Sequence, residues 1–173
     1  MAVKTVLRMG HPLLNKIAEP ITEFNTPALD SLVCDMFDTM DSRSGAGLAA
    51  PQIGVSKRVV IFSVRENPRY PDAEPVPETV LVNPQIEFIG NGMLDGWEGC
   101  LSIPGLRGLV PRHEEIIYRG YDPQGQLLER RVKGFHARVV QHEVDHLDGV
   151  LYPQRIQNLQ AFGFEEELLG HEN

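Results

Sequence analysis

The sequence is poor in cysteine and has no long apolar run. Two of its 173 residues are cysteines, which excludes the dense disulfide framework of small secreted domains. The most apolar short stretch, Val59–Val64, is far below the ~18 apolar residues of a membrane span. Residues 1–12 contain two basic side chains but no apolar core, so they are not typical of a signal peptide. We therefore predict a cytoplasmic protein in a reducing compartment, with no membrane contact.

Positive charge is also scarce. Sixteen basic and 24 acidic side chains give a net charge of −8, and residues 156–173 hold four glutamates but neither lysine nor arginine. A general nucleic-acid binder usually carries a basic face, so no direct nucleic-acid binding is expected. The chain length and the ordinary composition predict one domain over residues 1–173, with an acidic helical tail at about 156–173.

Apolar residues at three- and four-residue steps predict the main helices. One such pattern covers 27–40, and another runs from 134 to about 147. A further helix is expected near His11, where a proline suits the first turn. The last helix is predicted at 158–169, with three apolar side chains facing inward, namely Leu159, Phe162 and Leu169.

β-Branched and aromatic runs predict the strands. They lie at four places, 58–62, 80–82, 116–118 and 127–132. The turn sequence at 122–125 predicts that the last two strands form a hairpin. Four prolines and several charges predict an exposed loop at 65–77. This order of helices and strands predicts an α+β fold with a mostly antiparallel sheet and a C-terminal helix.

An H-E-x-x-H motif lies inside the predicted helix at 134–147 and consists of His142, Glu143 and His146. Four residues of helix return the chain to within about 40° of the same face, so both imidazoles can bind one metal ion. Glu143 then lies beside the open coordination position, where it can accept a proton from water. The motif predicts a metal-dependent hydrolase built around this helix.

The two histidines need a third protein ligand, and the residues leave its identity open. One class of peptidases places a third histidine where this chain has Tyr152. Another class takes a glutamate from a later helix, which keeps Glu165, Glu166 and Glu167 in question. Cys100 offers a soft thiolate. Three hypotheses therefore compete: an enzyme that uses Cys100, a metallopeptidase that uses a C-terminal glutamate, and a non-catalytic protein with a closed Cys/His site.

Three separated segments carry the most specific pattern in the chain. They are Gly45-Ala46-Gly47-Leu48-Ala49-Ala50-Pro51-Gln52, Glu98-Gly99-Cys100-Leu101-Ser102 and Gln141-His142-Glu143-Val144-Asp145-His146-Leu147. Together they resemble the three motifs of peptide deformylases, in the usual order, and the likeness extends from about Val6 to Ile156. That family removes the formyl group from the N-formylmethionine of new bacterial and organellar proteins. The resemblance implies the same N-terminal processing here.

The resemblance also implies a role for individual residues. The metal ligands that it implies are Cys100, His142 and His146. Glu143 becomes the general acid/base, while the side-chain amide of Gln52 and the backbone N–H of Leu101 become the donors that hold the tetrahedral oxyanion. A metal-activated water attacks the formyl carbon, and Glu143 then delivers a proton to the leaving amine, which releases formate.

A peptide-binding groove is expected beside these residues. Gly45 and Gly47 lack side chains, so an extended peptide can pair with their backbone. Val139, with Ala46 across from it, is expected to form the methionine pocket. The family more often has Val or Ile at position 46, so the smaller Ala46 would reshape that pocket. Arg107 is a further candidate for the wall of the groove.

Charged residues near the motifs are expected to support the site. Glu98 and Arg112 are expected to form an ion pair that supports the cysteine loop, as the equivalent residues of the family do. The alternative is a solvated pair at the surface. Asp145 would orient either a ligand imidazole or a nearby arginine.

The cofactor and the partners follow from the resemblance. It implies Fe(II) as the physiological ion, with Zn(II), Ni(II) or Co(II) possible in preparations. The expected substrates are formylmethionyl nascent peptides, which implies a transient encounter with the ribosome. Several bacterial relatives end in a basic helix that docks on the ribosome, but the acidic tail at 156–173 opposes such a contact with RNA. We therefore predict weak ribosome binding.

Overall fold

The computed structural model describes residues 2–64 and 75–169. It contains three α-helices, α1 (Pro27–Asp41), α2 (Gly134–Leu147) and α3 (Glu165–Leu169). The strands are β1 (Gly47–Ala49), β2 (Val59–Val64), β3 (Val76–Phe88), β4 (Met93–Cys100), β5 (Ile103–His113), β6 (Glu115–Tyr121), β7 (Leu127–Lys133) and β8 (Phe162–Phe164). Short 3₁₀ turns lie at Pro12–Asn15, Ala50–Ile53, Tyr152–Arg155 and Leu159–Ala161. The α+β fold predicted from the sequence is confirmed.

Five strands form one antiparallel sheet in the order β1-β2-β3-β6-β7. The predicted hairpin is correct, because β6 and β7 pair from Glu115 opposite Lys133 to Tyr121 opposite Leu127. The proline-rich segment predicted as a loop falls largely on residues 65–74, which lie outside the described residues. The end of that prediction was wrong, since Val76 and Pro77 already belong to β3.

Helix α1 begins and packs as the periodicity predicts. The Oγ1 atom of Thr26 accepts a hydrogen bond of 3.2 Å from the backbone N–H of Leu29, which caps the helix. Its inward face buries Leu29, Met36 and Met40 against β1 and β2. The helix predicted near His11 is instead a single 3₁₀ turn at Pro12–Asn15. The segment at 45–52 follows α1 and packs against it through Leu48 and Ala50.

A second, three-stranded sheet has the order β4-β5-β8 and is not predicted by the sequence patterns. Its strands lack a clean alternation of apolar and polar residues, because Glu98, Arg107 and Arg112 are buried in it. Buried charges of this kind are tolerated when they are paired, so they hide the pattern by which a strand is usually recognised.

The C-terminal segment differs from the helix predicted at 158–169. Leu159 starts a 3₁₀ turn and is 71% exposed, so its prediction as a core residue was wrong. Phe162 does pack inward, but from strand β8, which pairs with β5. A C-terminal helix is present as α3, five residues long, and the side chain of Leu169 lies outside the described part of the chain. The backbone groups of Phe162–Phe164 form their hydrogen bonds by pairing with the edge of β5, so this segment needs no helix to satisfy them.

No helix within the described ranges combines the length and the apolar character that a membrane span requires.

Candidate metal centre

Helix α2 contacts both sheets with different sets of side chains. Towards the five-stranded sheet it buries an apolar row, Ala137, Val140, Val144 and Leu147. The residues between these positions include Arg138, His142 and His146, which face the three-stranded sheet. The helix was predicted at these residues, and its 3.6-residue period is what separates the two rows.

Three potential metal ligands converge where α2 meets the end of β4. One donor atom each from Cys100, His142 and His146 lies within 4.8 Å of the other two. The Sγ atom of Cys100 is 3.4 Å from Nε2 of His146. Cys100 and His146 are buried, and the side chain of His142 is 11% exposed. A thiolate and two imidazoles at this spacing fit a tetrahedral ion that keeps one position open.

Alternation along β4 positions the cysteine. Glu98 and Cys100 are two residues apart on this strand, so both side chains point to the same side of the sheet. The pairing of β4 with β5 changes register between them, but the extra residues lie on β5. On their shared side, Glu98 contacts His142 and Cys100 lies beside His146.

Glu98 fixes the orientation of the first histidine. Its side chain is 4% exposed, and its Oε2 lies 2.8 Å from Nδ1 of His142. Because a carboxylate accepts, the Nδ1–H of His142 donates this bond and Nε2 is left for a metal. Burial by itself would raise the pKa of Glu98, but hydrogen bonds from His142 and Arg112 outweigh it and hold this pKa well below its ordinary value. Glu98 is therefore a carboxylate at neutral pH.

Arg112 links Glu98 to a second buried acid. Its Nε and Nη2 donate hydrogen bonds of 2.9 and 3.0 Å to Glu98, and its Nη1 donates to Asp145. The side chains of Glu98 and Arg112 are 4% and 5% exposed, so the pair is not the solvated one considered as an alternative. Asp145 also pairs with Arg155, and thus orients arginines rather than a ligand imidazole.

Arg138 completes this network and was missed by the sequence analysis. It lies one helical turn before His142, and its Nη1 donates to Glu98 Oε1 and to the backbone oxygen of Val110, each at 2.8 Å. A Cβ atom on Gly96 would lie 2.6 Å from Cζ of Arg138, so β4 needs a glycine at this point. Arg138 lies four residues before His142 and hence on the same face of the helix, and this spacing could have identified it from the sequence.

Glu143 lies against the glycine-rich segment. A Cβ atom on Gly47 would lie 2.5 Å from Oε1 of Glu143, so no other residue fits at position 47 without displacing this carboxyl group. Burial raises the pKa of Glu143 to about 7. Its Oε2 is buried and has no hydrogen-bond partner among the described residues. A carboxyl group with such a pKa and a vacant oxygen is suited to exchanging a proton with water.

The amide of Gln52 is held in one orientation. Its Oε1 accepts a bond of 2.8 Å from the N–H of Ala49. This places Nε2 3.0 Å from Oγ of Ser102 and 3.4 Å from Sγ of Cys100. Ser102 is 1% exposed and was not among the predicted site residues. Leu101, between Cys100 and Ser102, also lines the cavity at this point.

The cavity brings together most of the predicted substrate-binding residues. Gly45, Ala46, Gly47 and Val139 line it, along with Phe135, which was not predicted. Val139 is 6% exposed, and Ala46 packs against the same apolar cluster. Arg107 is not part of the lining but lies behind Gly99, where it forms an ion pair with Glu165. The C-terminal glutamate thus contacts an arginine rather than the grouped metal donors.

Comparison with known proteins relates this arrangement to one family. The family model for polypeptide deformylase matches residues 3–162. Peptide deformylase 2 of Ralstonia nicotianae is 56% identical over 175 residues, which cover 99% of this chain and 99% of that protein. Peptide deformylase 1 of Bordetella pertussis is 57% identical over 166 residues, which cover 96% of this chain and 94% of that protein.

Solved structures give the same result. The class I type b peptide deformylase of Acinetobacter baumannii, with Met-Ala-Ser bound, has a TM-score of 0.87 and 45% identity and covers 90% of this chain and 99% of its own. Peptide deformylase of Thermotoga maritima has a TM-score of 0.81 and 34% identity over 91% of this chain and 100% of its own. The chain therefore belongs to the polypeptide deformylase family, the metal-dependent hydrolases that remove the N-formyl group from nascent protein chains.

Proposed function

We propose that this chain deformylates formylmethionyl peptides with a metal held by Cys100, His142 and His146 and with Glu143 as general acid/base. The observation that carries the proposal is the convergence of the three donor atoms within 4.8 Å, next to a buried carboxyl group whose pKa is raised to about 7. The buried Oε2 of Glu143, which has no partner among the described residues, fits a site completed by a water.

The donor set supports a divalent metal. When bound, such an ion supplies Lewis acidity, which polarises the formyl carbonyl and makes a water nucleophilic at neutral pH. The thiolate of Cys100 leaves less positive charge on the ion than a third histidine would. We infer Fe(II) as the physiological ion, with Zn(II), Ni(II) or Co(II) able to replace it.

Glu143 moves the protons of the reaction. Its carboxylate accepts a proton from the water that attacks the formyl carbon and delivers it to the nitrogen of the methionine as the C–N bond breaks. Burial favours the neutral form of this carboxyl group and raises its pKa, which suits a group that acts first as a base and then as an acid. The carboxyl group is kept beside the cavity by the close contact with Gly47.

Two donors are proposed to stabilise the oxyanion of the tetrahedral intermediate. One is Nε2 of Gln52, whose direction is fixed by the bonds of its amide to Ala49 and Ser102. The other is the backbone N–H of Leu101, which follows Cys100 in the cavity wall. The loss of one such donor typically lowers kcat by about 10²–10³-fold.

The substrate peptide is proposed to lie along β1 with its methionine in the cavity. β1 is an edge strand, so backbone groups on its outer side are open to pairing with an extended peptide. Ala46, Val139 and Phe135 offer apolar surface for the methionine side chain. Backbone pairing is independent of side chains, which supports tolerance of many sequences after the first residue.

The substrate also sets the proposed partners and location. Formylated chains leave the ribosome in the bacterial cytoplasm, so we infer that the enzyme acts there and meets the ribosome transiently. Glu166 and Glu167 on α3 are exposed, and their charge opposes binding to RNA. Co-sedimentation with ribosomes should be weak, and a tight, salt-sensitive association that maps to residues 156–173 would contradict this.

The direct test is formate release from a short formylmethionyl peptide by protein prepared anaerobically with Fe(II). We expect C100S to lose the metal, whereas C34S, which changes the exposed cysteine, should retain metal and activity. E143Q should keep the metal and lose about 10²–10⁴-fold in kcat. A metal-loaded wild-type protein that releases no formate would refute the proposal, as would full metal binding by C100S.

Exposure to air tests the assignment of iron. A thiolate next to Fe(II) is open to oxidation. The activity of the Fe(II) form should therefore decay in air faster than its metal content, while the Ni(II) form remains active. Equal decay of the two forms would count against oxidation at Cys100.

A further inference from the structure

Arg107 and Glu165 form an ion pair next to the catalytic cavity. The side chain of Arg107 is 9% exposed, and its Nε lies 3.1 Å from Oε1 of Glu165. Glu165 begins α3, and 42% of its side chain is exposed. The charge of a nearly buried guanidinium is thus balanced by a carboxylate from the C-terminal segment.

Strand pairing holds the two residues together. β8 pairs with β5 so that Gly163 lies opposite Arg107. Residues opposite each other in an antiparallel pair, and those two positions further on, point to the same side of the sheet. Glu165 follows β8 directly as the first residue of α3, which brings its carboxylate within reach of Arg107. Phe162, one residue before Gly163, anchors β8 by packing into the apolar cluster that includes Cys100 and Tyr152.

Arg107 also contacts the wall of the cavity. A Cβ atom on Gly99 would lie 3.7 Å from Cγ and 3.8 Å from Nε of Arg107. Gly99 itself lines the cavity, next to Cys100. Arg107 therefore packs against a residue of the cavity wall that has no side chain of its own. Coulomb interactions extend over such a distance where solvent screening is incomplete.

We propose that Glu165 is a specificity-determining residue, which cancels the charge of Arg107 at the cavity wall and so prevents a preference for acidic residues after the formylmethionine. Without Glu165, the guanidinium would attract a peptide that carries a carboxylate near Gly99. Without Arg107, Glu165 would repel the same peptide. The inference rests on deformylation at this cavity, as proposed above, and gives the C-terminal segment a role in the choice of substrate.

The test uses formylmethionyl tetrapeptide amides with either Glu or Gln at the second, third or fourth position. The measured quantity is the Glu-to-Gln ratio of kcat/KM at each position. In E165Q we expect this ratio to rise about fivefold to tenfold over wild type for at least one position, mainly through KM, and the rise should shrink at high salt. In R107Q the ratio should fall, and the double variant should return towards wild type.

Glu166→Gln is the matched control, because it removes the same charge from the neighbouring exposed residue. An unchanged ratio in E165Q, or an equal rise in E166Q, would overturn the proposal, since a purely structural ion pair would not alter a ratio between two substrates. The comparison of E165Q with E166Q tests the charge cancellation even if R107Q does not fold. Hydrolysis of the Gln peptides by the wild-type enzyme tests deformylation separately, so failure of that reaction is distinguishable from failure of the charge cancellation.

Discussion

The two sheets contact the same helix through different kinds of interaction. On the five-stranded side, α2 packs aliphatic residues such as Val140 and Val144 against side chains that include Leu81. On the three-stranded side, it is held by ion pairs and hydrogen bonds, in which Glu98 joins Arg112, Arg138 and His142. Apolar packing is non-directional and stabilises the helix, whereas hydrogen bonds have fixed geometry and orient the side chains that would bind a metal.

Breaking the charged side should have the largest effect. Arg112→Met leaves Glu98 and Asp145 without a shared buried partner, and we expect a loss of about 3–5 kcal/mol in the free energy of unfolding. Urea unfolding of the metal-free protein measures this. Arg119→Met is the matched control, because Arg119 is 39% exposed and pairs with acids at the surface, and it should cost less than about 1 kcal/mol. Equal losses of unfolding free energy in the two variants would show that the buried ion pairs of Arg112 contribute no more than pairs at the surface.

Breaking the apolar side should cost nearly as much but spare the metal. Leu81 is fully buried in the cluster beneath α2, so Leu81→Ala should lower the free energy of unfolding by about 3 kcal/mol. Leu127→Ala removes the same atoms from a residue that is 68% exposed and should have little effect. Titration of L81A with Ni(II) should give a dissociation constant near that of wild type. A large loss of metal affinity would show that the two sides are not separable.

A second change on the charged side should act on the metal. Glu98→Gln keeps the size of the side chain but removes the charge that Arg112 and Arg138 share, and it weakens the bond to Nδ1 of His142. We expect metal affinity to fall about 10–100-fold. Competition with a chelator measures this affinity, and Glu115→Gln, which weakens a surface pair with Arg131, serves as the control. If E98Q binds the ion as tightly as wild type, the carboxylate does not orient the ligand.

The smallest effect is expected from a titrating residue at the five-stranded side. His136 packs near Phe62 and Tyr118, and burial, followed by the charge of Arg130, lowers its pKa to about 4. In the unfolded chain the pKa of this histidine is near 6.5. Between pH 6.5 and about 4, the unfolded chain therefore binds more protons than the folded protein does. Stability consequently falls as the pH falls through this range. After allowance for the partial exposure of His136, the loss at pH 5 is about 1 kcal/mol.

The measurement compares wild type with His136→Gln by urea unfolding at pH 7.5 and pH 5. The variant should lose about 1 kcal/mol less than wild type over this interval. Losses of the same size in both proteins would mean that His136 does not titrate differently in the folded and unfolded states.

The predictability of each element depended on whether its stabilising contacts are apolar. α1, α2 and the hairpin β6–β7 follow from periodicity and turn residues, because each buries a regular apolar face or closes on a tight turn. β4 and β5 could not be predicted in this way, because buried Glu98 and Arg112 interrupt their apolar pattern. These charges are stabilised by partners elsewhere in the chain. The C-terminal segment failed for a related reason, as the edge of β5 turned a predicted helix into β8.

The sequence by itself determined the placement of His142, Glu143 and His146 on one helix, because a helical period needs only local contacts. The motifs also indicated Cys100 and Gln52 by resemblance. Only the tertiary structure decided which buried groups surround them. Glu98 meets His142 across 44 residues, and Arg112 meets Asp145 across 33. Such pairs form because charges buried by folding must find partners, and strand pairing and helix docking, rather than sequence spacing, decide which partners are within reach.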